Sequence, residues 1–235
     1  MLRLSRNDIE DIAESVLRDY TKQSAGKSIP IDIDGFTRQH LGLQVQYRRL
    51  SDDGSVLGLT AYRDVQVKLT YTDRIVTVSV SEDSILIDDT LHRERRGRFT
   101  IAHECAHQLL ACSEERRTGT SFRKAFKPGK VYSPCELKSA RDWSEWQANA
   151  LGAALLMPKF ELLQILHREF WMPKFTMYGT RFNSWDYEAV KDLADRFEVS
   201  ITSMSLRLKG LGFIDLKPES EYRDPLDIFC DGEGA

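Results

Sequence analysis

The chain has 235 residues, 41% of them hydrophobic and 29% charged, with a formal net charge of −3 and a pI near 6.0. This length accommodates one substantial domain or two small ones, and the near-neutral balance excludes a global basic field for holding nucleic acid. No run approaches the roughly 18 apolar residues of a membrane-spanning helix, and the charged stretch MLRLSRNDIEDIAESVLRDY does not read as a signal or transit segment.

Ser5 and Asp8 precede Ile9, Ile12, Ala13, Val16, Leu17 and Tyr20 at helical spacing, which predicts an N-capped amphipathic helix within residues 1–30. A short helix is expected over Phe36–Leu41, ended by Gly42 in a left-handed conformation. The period then changes. LQVQYRR, VLGLTAYR, VQVKLTY, RIVTVSV and SILID are short, rich in β-branched and aromatic residues and separated by turn residues, the pattern of a small antiparallel sheet. Beyond Arg98, FTIAHECAHQLLAC predicts one helix and DWSEWQANALGAALLM another that stops before Pro158. The stretch between them, through Gly119, Pro128, Gly129 and Pro134, reads as a long loop. YEAVKDLADRFEV and ITSMSLRLKGLGFI predict a helical pair around Val199-Ser200. The fold class expected is therefore α+β, with residues 31–175 as the main domain, 176–216 as a C-terminal helical segment and 217–235 as an acidic tail.

Cys105, Cys112, Cys135 and Cys230 lack any CxxC spacing, which argues against a disulfide scaffold or a zinc ribbon and makes the reducing cytoplasm the expected compartment. The basic stretches HRERRGR and RTGTSFRKAFKPGK read as solvated loops, with a partner-facing patch as the alternative.

The chemistry is concentrated in His-Glu-Cys-Ala-His. Residues four apart share a helix face, so His103 and His107 can offer two imidazole nitrogens to one ion at about 2 Å from each. Glu104 can lie beside that ion as a general base, where a metal lowers the pKa of water toward roughly 7 and the carboxylate takes its proton. The plain alternative is two surface histidines one turn apart. Against it stand the apolar flanks FTIA and LL, which place the motif on a buried helix where bare His and Glu side chains are costly to desolvate. A catalytic zinc site needs a third protein ligand. Leu110 and Ser113 stand where the metzincin pattern has glycine and histidine, which excludes that arrangement. Glu145 is the leading candidate, with Asp142 and Glu136 as fallbacks and an exposed carboxylate near a helix N-terminus as the alternative reading. Ala148, Gly152 and Ala153 are small enough for close approach of this helix to the first. Asn149, one turn after Glu145, can either accept a hydrogen bond from the outer N–H of a histidine ligand or serve as a packing amide. Cys105 is turned about 200° from the histidines and reads as a core residue.

The series FTIAHECAH, EWQANALGAALLMP and LADRFEVSITSMSLRLKGLGFI resembles the ImmA/IrrE-type metallopeptidases, and with LGLQVQYRRL and VLGLTAY the resemblance spans roughly Ile31 to Ile214. It implies a zincin-like domain and a cytoplasmic peptidase that cuts a partner repressor with a helix-turn-helix domain in response to stress. The implied ligands are His103, His107 and Glu145, and the implied base is Glu104. The chain departs from that family's usual pattern at Ala106, where glycine is common, and at Ala111-Cys112, where a histidine often follows.

The expectation is thus a Zn2+-dependent endopeptidase, with Mn2+ as the alternative ion, acting on a specific protein partner and binding neither membrane nor nucleic acid. The competing reading is a metal-containing protein that sequesters its partner uncut. Direct DNA binding through Leu193, Ala194, Phe197, Ile201, Met204 and Leu208 is disfavoured, since the second helix has few basic residues. Tyr132, His167, Tyr178 and Arg181 are all chemically able to stabilise an oxyanion, and the sequence does not choose among them.

Overall fold

The computed structural model describes residues 3–23, 29–111, 120–124, 139–170 and 174–223. Tyr132, Glu136, Cys112, Cys135, Cys230, most of the expected loop and the tail beyond Arg223 lie outside the described residues.

Helix α1 (Arg6–Gln23) starts at a reciprocal cap, in which Asp8 N–H donates to Ser5 Oγ at 3.2 Å and Ser5 N–H to Asp8 Oδ2 at 2.7 Å. Its stripe of Ile9, Ala13, Leu17 and Tyr20 is buried, as the periodicity predicts. Helix α2 (Ile33–Gly35), capped by Asp32, runs into a π-helical turn over Phe36–His40, and Gly42 follows at φ +68°.

The five strand segments become β1 (Gln44–Tyr47), β2 (Val56–Ala61), β3 (Val65–Thr70), β4 (Ile75–Val80) and β5 (Ser84–Ile87). They do not form one antiparallel sheet. Among the described residues β3 and β4 pair only with each other, while β6 (Thr120–Lys124) joins the rest in the order β1-β5-β2-β6. Within that sheet β1 and β5 are parallel, and β2 is antiparallel to both β5 and β6. Turn residues fix only a strand's local hairpin partner, and the pairing of β1 with β5 is non-local. β6 falls in the stretch read as a loop and supplies partners to the backbone groups along the other edge of β2.

Alternation along the strands gives this sheet two faces. Leu59, Ala61 and Leu86 pack with Leu50 and with Val67, Leu69, Val78 and Val80 of the β3–β4 ribbon. Ile85 and Ile87 face the opposite way, into the main core.

That core is built on α3 (Arg95–Ala111) and α4 (Ala140–Leu156), followed by α5 (Lys159–Glu169), α6 (Ser184–Arg196) and α7 (Ile201–Gly210). Helix α4 stops before Pro158, as expected, and opens on a capping box between Ser139 and Asp142. The C-terminal region also carries strands the sequence reading did not contain: β7 (Phe175–Tyr178) pairs with β8 (Arg181–Phe182) antiparallel and with β9 (Ile214–Lys217) parallel. The boundary expected after residue 175 falls inside β7, and one continuous cluster joins Ile9 and Leu17 of α1 to Leu151 and Leu155 of α4 and Met204 and Leu208 of α7. Leu193, Ala194 and Phe197 are buried in the same cluster, so the α6–α7 pair spends its apolar face on packing.

Buried Arg207 ties three elements, donating from Nη2 to Glu10 Oε2 at 2.7 Å and from Nε to Met157 O at 3.0 Å. The HRERRGR stretch is exposed from His92 to Arg96, as a solvated segment is, but it is a loop only up to Glu94, since α3 begins at Arg95. Arg95 and Arg98 lie in the first turn of α3 and pair with Asp195 at 2.7 Å and Glu198 at 3.2 Å, beside the C-terminal end of α6. Cations are favoured there by the helix dipole as well. Among the described residues, no helix is long and apolar enough to cross a membrane.

Candidate metal centre

Helix α3 is buried on almost every side, including Thr100, His103, Glu104 and His107 among its apolar residues. A helix buried all round belongs in the centre of a fold, and α4, α2 and strands β2 and β5 pack around this one. Successive residues step about 100° around the axis, so His103, Glu104 and Cys105 point to different neighbours. His103 and His107 face α4, Glu104 faces β2, and Cys105 faces the π-helical turn, where its Sγ lies 3.2 Å from Thr37 Oγ1. Burial pushes the Cys105 thiol up to about 12, with the Thr37 contact opposing it. Cys105 is thus the core residue that the helical rotation predicts.

The approach of α4 depends on a missing side chain. A Cβ on Gly152 would lie 3.1 Å from His103 N and 3.2 Å from Ala102 O, so the two helix backbones are nearly in contact. This brings Glu145 between the two rings: its Oε2 lies 3.4 Å from His103 Nε2 and its Oε1 3.4 Å from His107 Nε2, while the two Nε2 atoms are 3.1 Å apart. The ligand atoms of His103, His107 and Glu145 all lie within 4.8 Å of one another, and the group could hold a metal ion.

The donor set fits zinc. Two imidazole nitrogens and a carboxylate are a common catalytic zinc set, and ligands at about 2.0–2.1 Å in a tetrahedron are separated by roughly 3.3–3.4 Å. The observed separations of 3.1, 3.4 and 3.4 Å are close to that triangle. Burial alone would raise the Glu145 pKa, but hydrogen bonding and charge from His103 and His107 outweigh it and hold the carboxyl well below the usual carboxylate range. An anionic Glu145 between two Nε2 atoms is the protonation state a cation selects.

Glu104 is fully buried at the sheet side of α3, against Gly58 of β2 and Thr100. The next turn is bolted to the same strand: Gln108 Nε2 donates to Thr60 Oγ1 at 2.6 Å and to Ala61 O at 2.8 Å. Neither Gly58 nor Gln108 was singled out from the sequence, and only strand placement reveals them.

The other candidates fall elsewhere. Asn149 is half-buried on α4, and no hydrogen bond joins it to either histidine among the described residues. Asp142 is exposed and engaged in the cap of α4. His167 is on the exposed face of α5. Tyr178 packs edge-on against Tyr222, and exposed Arg181 lies 3.9 Å from Glu219, so both have their contacts in the β7–β9 sheet region.

The chain matches no family model and no curated protein, so the functional argument rests on its own residues.

Proposed function

We propose that this protein is a zinc-dependent endopeptidase with a zincin-like domain, acting in the cytoplasm on a specific protein partner, of which a helix-turn-helix repressor is the leading type. The observation that carries the reading is the convergence of His103, His107 and Glu145 on one point, with Glu104 on the adjoining turn face of the same buried helix. His103 and His107 would hold the ion through Nε2 and Glu145 through its carboxylate. Zinc held there supplies Lewis-acid strength, which brings the pKa of water toward about 7 and polarises a peptide carbonyl. Glu104 takes the proton of the attacking water on its carboxylate and returns a proton to the amine nitrogen as the peptide C–N bond breaks. Glu145 stays anionic and would offset part of the positive charge of an ion held there. Burial of α3 excludes bulk water from the base and strengthens its electrostatic interactions.

Two carboxylate variants test this division of labour. Glu104→Gln preserves shape and all three ligands, so it should keep about one zinc per chain while losing most turnover. Glu145→Ala removes a ligand, and both zinc occupancy and the thermal midpoint should fall, because binding to the native state adds to folding free energy. Metal analysis of the two variants decides the assignment, and loss of zinc from Glu104→Gln with retention in Glu145→Ala would overturn it. Incubation of the zinc-loaded protein with candidate repressors, read by mass spectrometry, separates cleavage from capture: fragments support the peptidase, and intact complexes support sequestration.

A further inference from the structure

We propose that Gly58 is a positioning residue for Glu104, a bare site on β2 that forms the seat of the carboxylate and sets where its oxygens stand relative to His103 and His107. The role rests on the peptidase reading, in which Glu104 is the base. A Cβ at position 58 would lie 2.5 Å from Glu104 Oε1, 3.1 Å from Glu104 Cδ and 2.8 Å from Thr100 Cγ2. Those distances are far inside van der Waals contact, so the strand backbone itself is the wall against which the carboxylate rests. The glycine is required for space alone: its φ lies outside the left-handed region, and a glycine inside a strand often marks close approach by another group.

The neighbouring contact keeps this seat in step. Gln108 follows Glu104 by four residues, about 6 Å along a helix, and Thr60 follows Gly58 by two, about 6.6 Å along a strand. The bonds from Gln108 to Thr60 Oγ1 and Ala61 O therefore fix how far α3 can slide along β2. On the β6 side the register of β2 shifts between Val56 and Gly58, an irregularity located at the seat.

The test is a double-mutant cycle between Gly58→Ala and Glu104→Ala, with Thr100→Ser in all four chains. That background removes the second obstacle and keeps the hydroxyl that donates to Arg96 O. At equal zinc loading, Gly58→Ala should lower the thermal midpoint by roughly 3–10 °C when Glu104 is present, as overpacking does in a protein of this size. With Glu104→Ala the drop should vanish. Folding only when Glu104 is absent supports the seat equally. An equal drop in both backgrounds, or none in either, overturns it.

A merely structural glycine is distinguished by turnover. In the otherwise native zinc-loaded protein, Gly58→Ala should keep its zinc and its KM while kcat falls roughly 10- to 100-fold, the scale of a misplaced catalytic group. A change confined to KM overturns the positioning role. The melting cycle requires no substrate, so a wild-type protein that cuts nothing counts against the peptidase reading while the cycle still decides the contact.

Discussion

The β1-β5-β2-β6 sheet separates two packing regions built by different means. On the ribbon side, Val67, Leu69, Val78 and Val80 close over Leu59, Ala61 and Leu86 in a small cluster of aliphatic side chains. On the helix side, α3 lies between the sheet and α4, and its contacts pass through Gly58, Gly152 and Ala148, where bulk is missing. The ribbon side tolerates any set of apolar groups that fills the volume, whereas the helix side fixes distances backbone to backbone. The proposed metal site requires the second kind of packing, because the three candidate ligand atoms of His103, His107 and Glu145 must meet within tenths of an ångström.

The largest test of this contrast is truncation of one leucine in each region. Leu151, with 0% exposure on α4, should cost about 4–5 kcal/mol on change to alanine, and Leu69, 4% exposed on the ribbon, about 2–3 kcal/mol, since an edge ribbon collapses into the space more easily. Urea denaturation measures both. Zinc affinity should fall only for Leu151→Ala, and a matching loss in Leu69→Ala would erase the distinction between the two faces.

Gly152→Ala perturbs distance without removing any ligand. The new methyl meets the α3 backbone near 3.1 Å, and two helix backbones cannot yield as a side chain can. Alanine gains up to about 1 kcal/mol of helix propensity over glycine, which offsets only part of the roughly 1–3 kcal/mol that overpacking costs, so overall stability should fall modestly. Zinc affinity should fall by roughly 10-fold, on the scale of altered support around a metal ligand, and competition with a chelator measures it. Unchanged affinity would mean that the helix spacing at Gly152 does not control the ligand triangle.

These contrasts also explain what could be read from the sequence. The α1 stripe, the motif helix and the end of α4 before Pro158 were legible because their signals repeat within a few residues. Glu145 was legible because its helix carries small residues on the ligand face. The parallel pairing of β1 with β5 was not, since residues 44 and 84 meet only after β2 and the β3–β4 hairpin have intervened. Gly58 gave no signal, as nothing in VLGLTAY says that a carboxylate on another element will occupy the space above it. The pairing of Arg95 and Arg98 with Asp195 and Glu198 was equally hidden, because charge runs show their sign and not their distant partners.

Thr60 stands on the face of the sheet that meets α3, and its effect should be smaller again. Thr60→Val keeps the shape and removes the hydroxyl that accepts from Gln108, while Ala61 O remains as an acceptor. The loss should be about 1 kcal/mol, the net worth of one hydrogen bond. Zinc content should be unchanged and turnover reduced a few-fold, since the helix is held to its strand by one bond fewer. Calorimetry together with cleavage kinetics checks this, and a turnover loss as large as that of Gly58→Ala would shift the main positioning role from the seat to the bolt.

The smallest effect belongs to Cys105, which lies inside the metal motif in sequence and outside the ligand set in space. It faces Thr37 from the opposite side of α3, and Thr37 Oγ1 donates to Ile33 O at 2.6 Å whether or not a sulfur is nearby. Cys105→Ala therefore removes one buried sulfur and strands no polar partner, at a cost of roughly 1 kcal/mol or less. Zinc affinity and turnover should match the wild type, because the ligand face of the helix is untouched. The native thiol, fully buried, should also resist alkylation until the protein is unfolded, a difference that peptide mass mapping with and without denaturant reads directly. Loss of zinc in Cys105→Ala, or rapid labelling of Cys105 in the folded protein, would show that the far side of α3 is open to the site or to solvent, and the division of this helix into a ligand face and a packing face would fail.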